Sequence, residues 1–149
     1  MAQSWSDLYT THLSDEDVQG TKTILRVVQA PDYENMFTGE HVEGSRWVDI
    51  RLQFGDLNTR QGVLLKYEEF LKLVGAMKKD ECTLISTKGR QVELKRDAGD
   101  VCGNMKSYKW IITITCKRND GQRVLRIRLG FDAEERIFQA MEDVKKALE

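Results

Sequence analysis

Apolar and polar residues alternate along most of this chain, with two interruptions where the period lengthens to that of a helix. From Lys22 onward Leu25 and Val27 share one face of a short strand and Ile24, Arg26 and Val28 the other, the two-residue period of β structure. Pro31 ends the strand, since proline cannot donate to a sheet ladder. Val48, Ile50, Leu52 and Phe54 then alternate with Trp47, Asp49, Arg51 and Gln53, predicting a strand with one core face and one polar face. After a Gly55-Asp56 turn, residues 62–65 form a short strand. Residues 68–79 form a helix whose apolar stripe is Phe70, Leu71, Val74 and Met77, with Lys78 and Lys79 placed to suit the helix dipole.

The second half repeats this plan more fully. Strands are predicted at 82–87, 90–96, 109–117 and 122–129, joined by turns at Lys88-Gly89, 99–103 and Asn119-Asp120-Gly121. The last turn is a strong hairpin signal, because Asn and Asp tolerate positive φ and Gly adopts it freely. Residues 132–148 form a helix with Asp132 as cap, Glu135 completing a capping box, and Ile137, Met141, Val144 and Leu148 as its apolar stripe. Residues 1–20 show little periodicity and fit a short helix or a mobile arm. Residues 32–44 read as a long acidic loop or loose hairpin. The expected class is therefore α+β, two tandem antiparallel sheet-plus-helix units. An N-terminal arm at 1–21 precedes repeats at 22–80 and 81–149, which together form one compact pseudo-dimeric domain.

Charge sharpens this picture. The chain has 149 residues and a net charge of -1, but the charge is segregated. Residues 1–44 carry 2 basic and 8 acidic side chains, residues 45–130 carry 18 and 10, and residues 131–149 carry 3 and 6. A middle segment of net +8 bracketed by acidic ends predicts a local surface for a polyanion, because fields at a Debye length of ~8 Å follow local rather than total charge.

Several classes of function are disfavoured. Cys82, Cys102 and Cys116 are odd in number and widely spaced, so they read as reduced thiols rather than a disulfide framework. Neither His12 nor His41 has a neighbouring Cys or His, so no metal site and no cofactor is expected. The nucleophile-elbow, zinc-protease and phosphate-loop motifs are missing, and the carboxylate pairs Glu68-Glu69 and Glu134-Glu135 lie in helix first turns where capping explains them. The expectation is a non-enzymatic protein with no catalytic residues. No apolar run approaches the ~20 residues of a membrane span and no secretory pattern opens the chain, so a nuclear or cytoplasmic, reducing location is expected.

Parity assigns the face that the helices leave bare. Trp110, Ile112, Ile114 and Cys116 go inward and Lys109, Ile111, Thr113, Thr115 and Lys117 outward. Leu125, Ile127 and Leu129 go inward and Val124, Arg126 and Arg128 outward, while Gln91, Glu93 and Lys95 face out from the preceding strand. With Trp47 and Arg51 from the first half, the outer surface combines cations with an aromatic ring, the pairing that grips single strands through phosphates and stacked bases. Each member also has a structural reading: Trp47 can close a sheet edge, and Arg126 and Arg128 can pair with carboxylates on neighbouring strands.

The run Val48-Asp49-Ile50-Arg51, the aromatic Phe54, Gly55-Asp56-Leu57, Arg60, Gly62-Val63-Leu64-Leu65 and a helix carrying Phe70 resembles the C-terminal domain of the transcriptional coactivator positive cofactor four. The resemblance covers residues 46–77. It implies a curved antiparallel sheet backed by a helix, pairing of units through helices and sheet edges, and binding of single-stranded or melted DNA, with Arg51, Phe54 and Arg60 as contacts. The chain departs from that family at Gln61, where a second Lys is usual, and in the long acidic segment before Arg46. The layout from Tyr108 to the last helix is similar to the repeats of Whirly and Pur-alpha proteins. That similarity implies nucleic-acid contacts at Lys117, Arg118, Asn119, Arg123 and Arg126.

These readings converge on a sequence-tolerant single-stranded DNA-binding protein, a coactivator-like or DNA-metabolism factor. Its expected site comprises Trp47, Arg51, Phe54, Arg60, Lys95, Lys109, Lys117, Arg118, Arg123, Arg126 and Arg128. Single-stranded RNA is an alternative ligand, since stacking platforms accept any base. A protein-interaction or scaffold module is the alternative class. The expected partners are a nucleic-acid strand, a second copy of the chain pairing through sheet edges, and transcription or replication proteins.

Overall fold

The computed structural model describes residues 5–87, 89–97 and 108–149; the 99–103 turn, Cys102 and Lys88 lie outside the described residues, as does the side chain of Arg118. Two four-stranded antiparallel sheets are each followed by a helix. The first sheet contains β1 (Ser6–His12), β2 (Thr21–Gln29), β5 (Arg46–Phe54) and β6 (Leu57–Leu65) in that spatial order, followed by α1 (Tyr67–Lys79). The second contains β7 (Thr83–Thr87), β8 (Arg90–Arg96), β9 (Tyr108–Arg118) and β10 (Gly121–Gly130), ordered β10-β9-β8-β7, followed by α2 (Phe131–Leu148). A short hairpin of β3 (Tyr33–Glu34) and β4 (His41–Val42) projects from the β2–β5 connection. This is the α+β class of two sheet-plus-helix units that the alternation predicted.

The first sheet is fuller than its sequence suggests. Residues 6–12, expected as helix or arm, form β1 and pair with β2 from Ser6↔Gln29 to His12↔Ile24. An edge strand of mostly exposed residues has no buried face to write alternation into its sequence, so its β structure comes from pairing. The short strand expected at 62–65 extends back to Leu57, interrupted by an irregularity opposite Leu52 where Thr59 Oγ1 donates to the Leu52 carbonyl at 2.6 Å.

A single core joins both units. Leu25, Val27, Val48, Ile50, Val63 and Leu65 of the first sheet meet Val92, Leu94, Trp110, Ile112, Ile127 and Leu129 of the second, with Phe70, Leu73, Val74 and Met77 of α1 and Ile137, Ala140 and Val144 of α2 between them. Leu73 takes the buried place expected for Leu71, which is exposed. Each helix spans the junction: α1 packs on β5, β6 and β7, and α2 on β1, β2, β5 and β10, while β6 and β10 meet along the seam. Arg90 fastens the seam, donating to the Leu64 carbonyl at 2.6 Å and lying 3.4 Å from Glu69. The same Glu69 accepts the Lys66 backbone N–H at 2.9 Å and so caps α1. The cap of α2 departs from expectation. Gly130 is the N-cap and makes no side-chain bond, so Asp132 sits inside the first turn and the predicted Asp132–Glu135 capping box does not form.

Candidate nucleic-acid interface

Because the helices cover one side of each sheet, the opposite sides are the surfaces on which ligands can lie. On the first sheet the cross-strand register sets Arg26 against Asp49, and Ile24 against Arg51 and then Gly62. Asp49 is fully buried beneath these arginines. Its Oδ2 accepts Arg26 Nε at 3.0 Å and Arg51 Nε at 3.0 Å, and its Oδ1 accepts Arg51 Nη2 at 3.1 Å. Arg26 continues to Asp7 at 3.1 Å, and Arg51 Nη1 donates to the Thr59 carbonyl at 2.8 Å.

The guanidinium of Arg51 lies flat across β6 because residue 62 is glycine; a Cβ there would fall 2.5 Å from Arg51 Cζ. The arginine side chains are only 13% and 18% exposed, so the face spends its cations on its own buried carboxylate. Arg51, expected to reach phosphates, is a structural ligand of Asp49 in this sheet. Trp47 stands on the same face opposite Val28, half-buried beside the start of α1. Phe54 belongs by alternation to the Ile50–Leu52 side, opposite Arg51, so those two expected contacts do not share a face. Arg60 is exposed on the irregular stretch of β6.

The second sheet is different. Its bare face carries Arg126 opposite Thr113 and then Glu93 and Leu84; Val124 opposite Thr115 and Gln91; Arg128 opposite Ile111 and Lys95; and Lys117 opposite Gln122. Lys95 lies 3.4 Å from Glu93, and Arg128 lies 3.6 Å from Asp97 with its guanidinium over the Tyr108 ring at 5.8 Å. Among the described residues, the side chains of Lys117 and Arg126 are exposed and make no hydrogen bond or ion pair. Four cations thus face one strand carboxylate, Glu93, and the side chains of two of them make no ion pair, although Asp15, Glu16 and Asp17 of the β1–β2 turn line the same cleft as Arg126 and Arg128. Arg123 falls with Leu125 on the other side of β10, away from Arg126 and Arg128.

Lys109 requires a correction. It was expected on the outer face, but it is the extra residue of a β-bulge: Leu129 pairs with Trp110 and Gly130 with Tyr108, leaving Lys109 unopposed. A bulge re-aims the side chain it frees, and Lys109 turns toward α2, where its Nζ meets Glu134 Oε1 at 2.8 Å. Glu134 also accepts the indole N–H of Trp110, which is fully buried as its parity predicted.

Among the described residues no group of His, Cys, Asp and Glu side chains is arranged to hold a metal. No helix among them is long and apolar enough to cross a membrane. No protein-family model matches the chain, and no curated protein matches it. Among solved structures it is similar to Trypanosoma bruciei MRP1/MRP2 at 12% identity and a TM-score of 0.47, over 94% of this chain and 82% of that one. No function passes to this chain from a likeness at that level.

Two features of the site lay beyond the parity argument. Tyr108, which supports Arg128, opens its strand just after the undescribed segment and has no alternation before it to place it. The burial of Arg51 was signalled by Asp49 two residues earlier on the same strand face, but its strength depends on Arg26 one strand away.

Proposed function

We propose that this chain is a non-enzymatic, sequence-tolerant binder of single-stranded nucleic acid that uses the helix-free face of its second sheet. The observation that carries this reading is the pair Lys117 and Arg126, whose exposed side chains make no ion pair and lie on the same face as Lys95 and Arg128. Residues two apart on one strand face are about 6.7 Å apart, so Arg126 and Arg128 present a row of charges rather than a point. Thr113 and Thr115 between them supply hydroxyls that donate to phosphate or base oxygens, and Ile111 and Val124 supply apolar surface for base faces. The acidic hairpin repels a polyanion and the cations of the first-sheet face are neutralised by Asp49, so a polyanion is drawn to the row of exposed cations on this face.

The resemblance of residues 46–77 to positive cofactor four points to the same ligand class and to a role in transcription or DNA metabolism. The cations available for it lie on the other sheet. DNA is the first ligand to test and RNA the second, since only a contact to the 2′-hydroxyl would separate them.

A protein-interaction surface is the competing reading, favoured by Leu84 at 55% and Val124 at 43% exposure on the same face. Electrophoretic mobility shifts of a labelled single-stranded oligonucleotide with wild type and with Arg126→Ala/Lys117→Ala test the choice. A shift that the double variant abolishes supports the nucleic-acid reading, and the absence of a shift at low salt transfers the face to a protein partner.

A further inference from the structure

The β3–β4 hairpin is built to hold two apolar side chains in water. Met36 and Phe37 at its tip are 96% and 100% exposed, and Tyr33 on its first strand is 59% exposed. The tip is nonetheless fixed. Asn35 Oδ1 accepts the backbone N–H groups of Phe37 at 2.9 Å and Thr38 at 3.3 Å. The Asn35 carbonyl accepts the Gly39 N–H at 2.7 Å, with Gly39 at a φ of +70° that other residues rarely adopt.

The base is clamped as well. Gly44 N–H donates to Asp32 Oδ1 at 2.8 Å, and a Cβ on Gly44 would fall 1.7 Å from the Ala30 carbonyl oxygen, so only glycine closes the loop. A preorganised projection with an aromatic tip loses little entropy on docking and has the make-up of an interface anchor. Its flanks carry Asp32, Glu34, Glu40 and Glu43, and no Lys or Arg occurs between Arg26 and Arg46. The partner must therefore offer a small apolar patch rimmed by cations.

The second sheet of this protein has that patch. Val124, 43% exposed, lies between Gln122 and Arg126 on β10, with Lys117 opposite Gln122. Within one chain the two do not meet, since Phe37 is fully exposed. We propose that the β3–β4 hairpin of one copy docks on the Val124–Lys117–Arg126 patch of a second copy. Phe37 covers Val124, and Glu34 and Glu40 pair with Lys117 and Arg126. The contact joins two different surfaces, so it generates a reciprocal pair or a head-to-tail chain.

Sedimentation velocity across a concentration series at low salt, with no nucleic acid present, tests this independently of the nucleic-acid reading. Wild type is expected to self-associate, and high salt to weaken the association. Phe37→Ser and Arg126→Glu are both surface changes that leave the core intact. Each is expected to weaken self-association about thirtyfold, the loss of a hot-spot contact. Mixed together, the two variants should associate with each other, because one retains the patch and the other the hairpin. A wild type that stays monomeric throughout, a Phe37→Ser variant that associates normally, or a mixture no larger than its components would overturn the proposal.

Discussion

Replacing Asp49 by Asn keeps the shape of the side chain and removes the one charge that holds two arginines on the bare face of the first sheet. Asp49 accepts four guanidinium N–H groups, two from Arg26 and two from Arg51. Asparagine can accept through only one oxygen and turns an amide N–H toward a cation. Removing one partner of a buried ion pair costs about 3–5 kcal/mol. The low end applies here, because Arg26 keeps Asp7 and Arg51 keeps the Thr59 carbonyl, giving about 3 kcal/mol. For a chain of this size that lowers Tm by about 6–12 °C.

Thermal and urea unfolding followed by circular dichroism measure it, and the urea m-value should stay that of wild type, since the surface exposed on unfolding is unchanged. Arg51→Ala should cost less, about 2 kcal/mol, because Asp49 retains Arg26. Replacing Arg26, Asp49 and Arg51 together by apolar residues of similar volume should recover most of the loss. An Asp49→Asn variant that melts within about 2 °C of wild type would refute the claim that this cluster, rather than a ligand, is what Arg51 serves.

Gly62→Ala should destabilise wild type about as much as Arg51→Ala and cost almost nothing in an Arg51→Ala background; a double-mutant cycle of unfolding free energies that proved additive would contradict this. Glu134→Ala strips Lys109 and the Trp110 indole of their shared acceptor and should cost about 3 kcal/mol in the same unfolding assay. Arg126→Ala should leave the melt unchanged, weaken binding of a single strand and reduce the log-log salt slope by ~0.7. The Tyr9 hydroxyl titrates above the ordinary tyrosine value chiefly because of burial, with a hydrogen bond to Thr11 opposing the rise and the neighbouring Asp143 carboxylate adding to it. With the folded pKa above the unfolded one, this contribution to stability is complete below about pH 10 and is lost as pH rises through the folded value, which an ultraviolet difference titration with parallel melts would follow.

The elements that alternation wrote clearly are the ones with one apolar face on the common core. Val48 and Ile50, or Ile112 and Ile114, are core residues whose neighbours along the strand lie on the opposite face, and their strands lie where the pattern placed them. β1 left no such trace because its residues are largely exposed on a sheet edge and its structure is owed to β2. The helix α2 was legible as a helix but not at its first residue, since Asp132 and Glu135 fit a capping box that the chain passes over when the bulge at Leu129–Gly130 makes Gly130 the cap.

The candidate site shows the same division. Parity placed Lys95, Lys117, Arg126 and Arg128 correctly on one face, because parity is a property of a single strand. It misplaced Lys109 because a bulge is a property of two. Whether a cation on a bare face is available to a ligand depends on its neighbours: Arg51 binds Asp49 two residues earlier on its own strand, a carboxylate that Arg26 reaches from β2, whereas Arg126 lies opposite Thr113. The pattern of β5 records Asp49 beside Arg51, but not the second arginine that arrives from β2.

The central claim is that nucleic acid lies on the second sheet and not on the first. Fluorescence anisotropy of labelled single-stranded DNA, single-stranded RNA and duplex DNA, titrated at two salt concentrations with wild type, Arg126→Ala/Lys117→Ala and Arg51→Ala, tests it most directly. The account predicts salt-sensitive binding that prefers a single strand, is lost in the second-sheet double variant, and survives in Arg51→Ala wherever that variant is folded. Binding that survives the double variant but disappears with folded Arg51→Ala would contradict it.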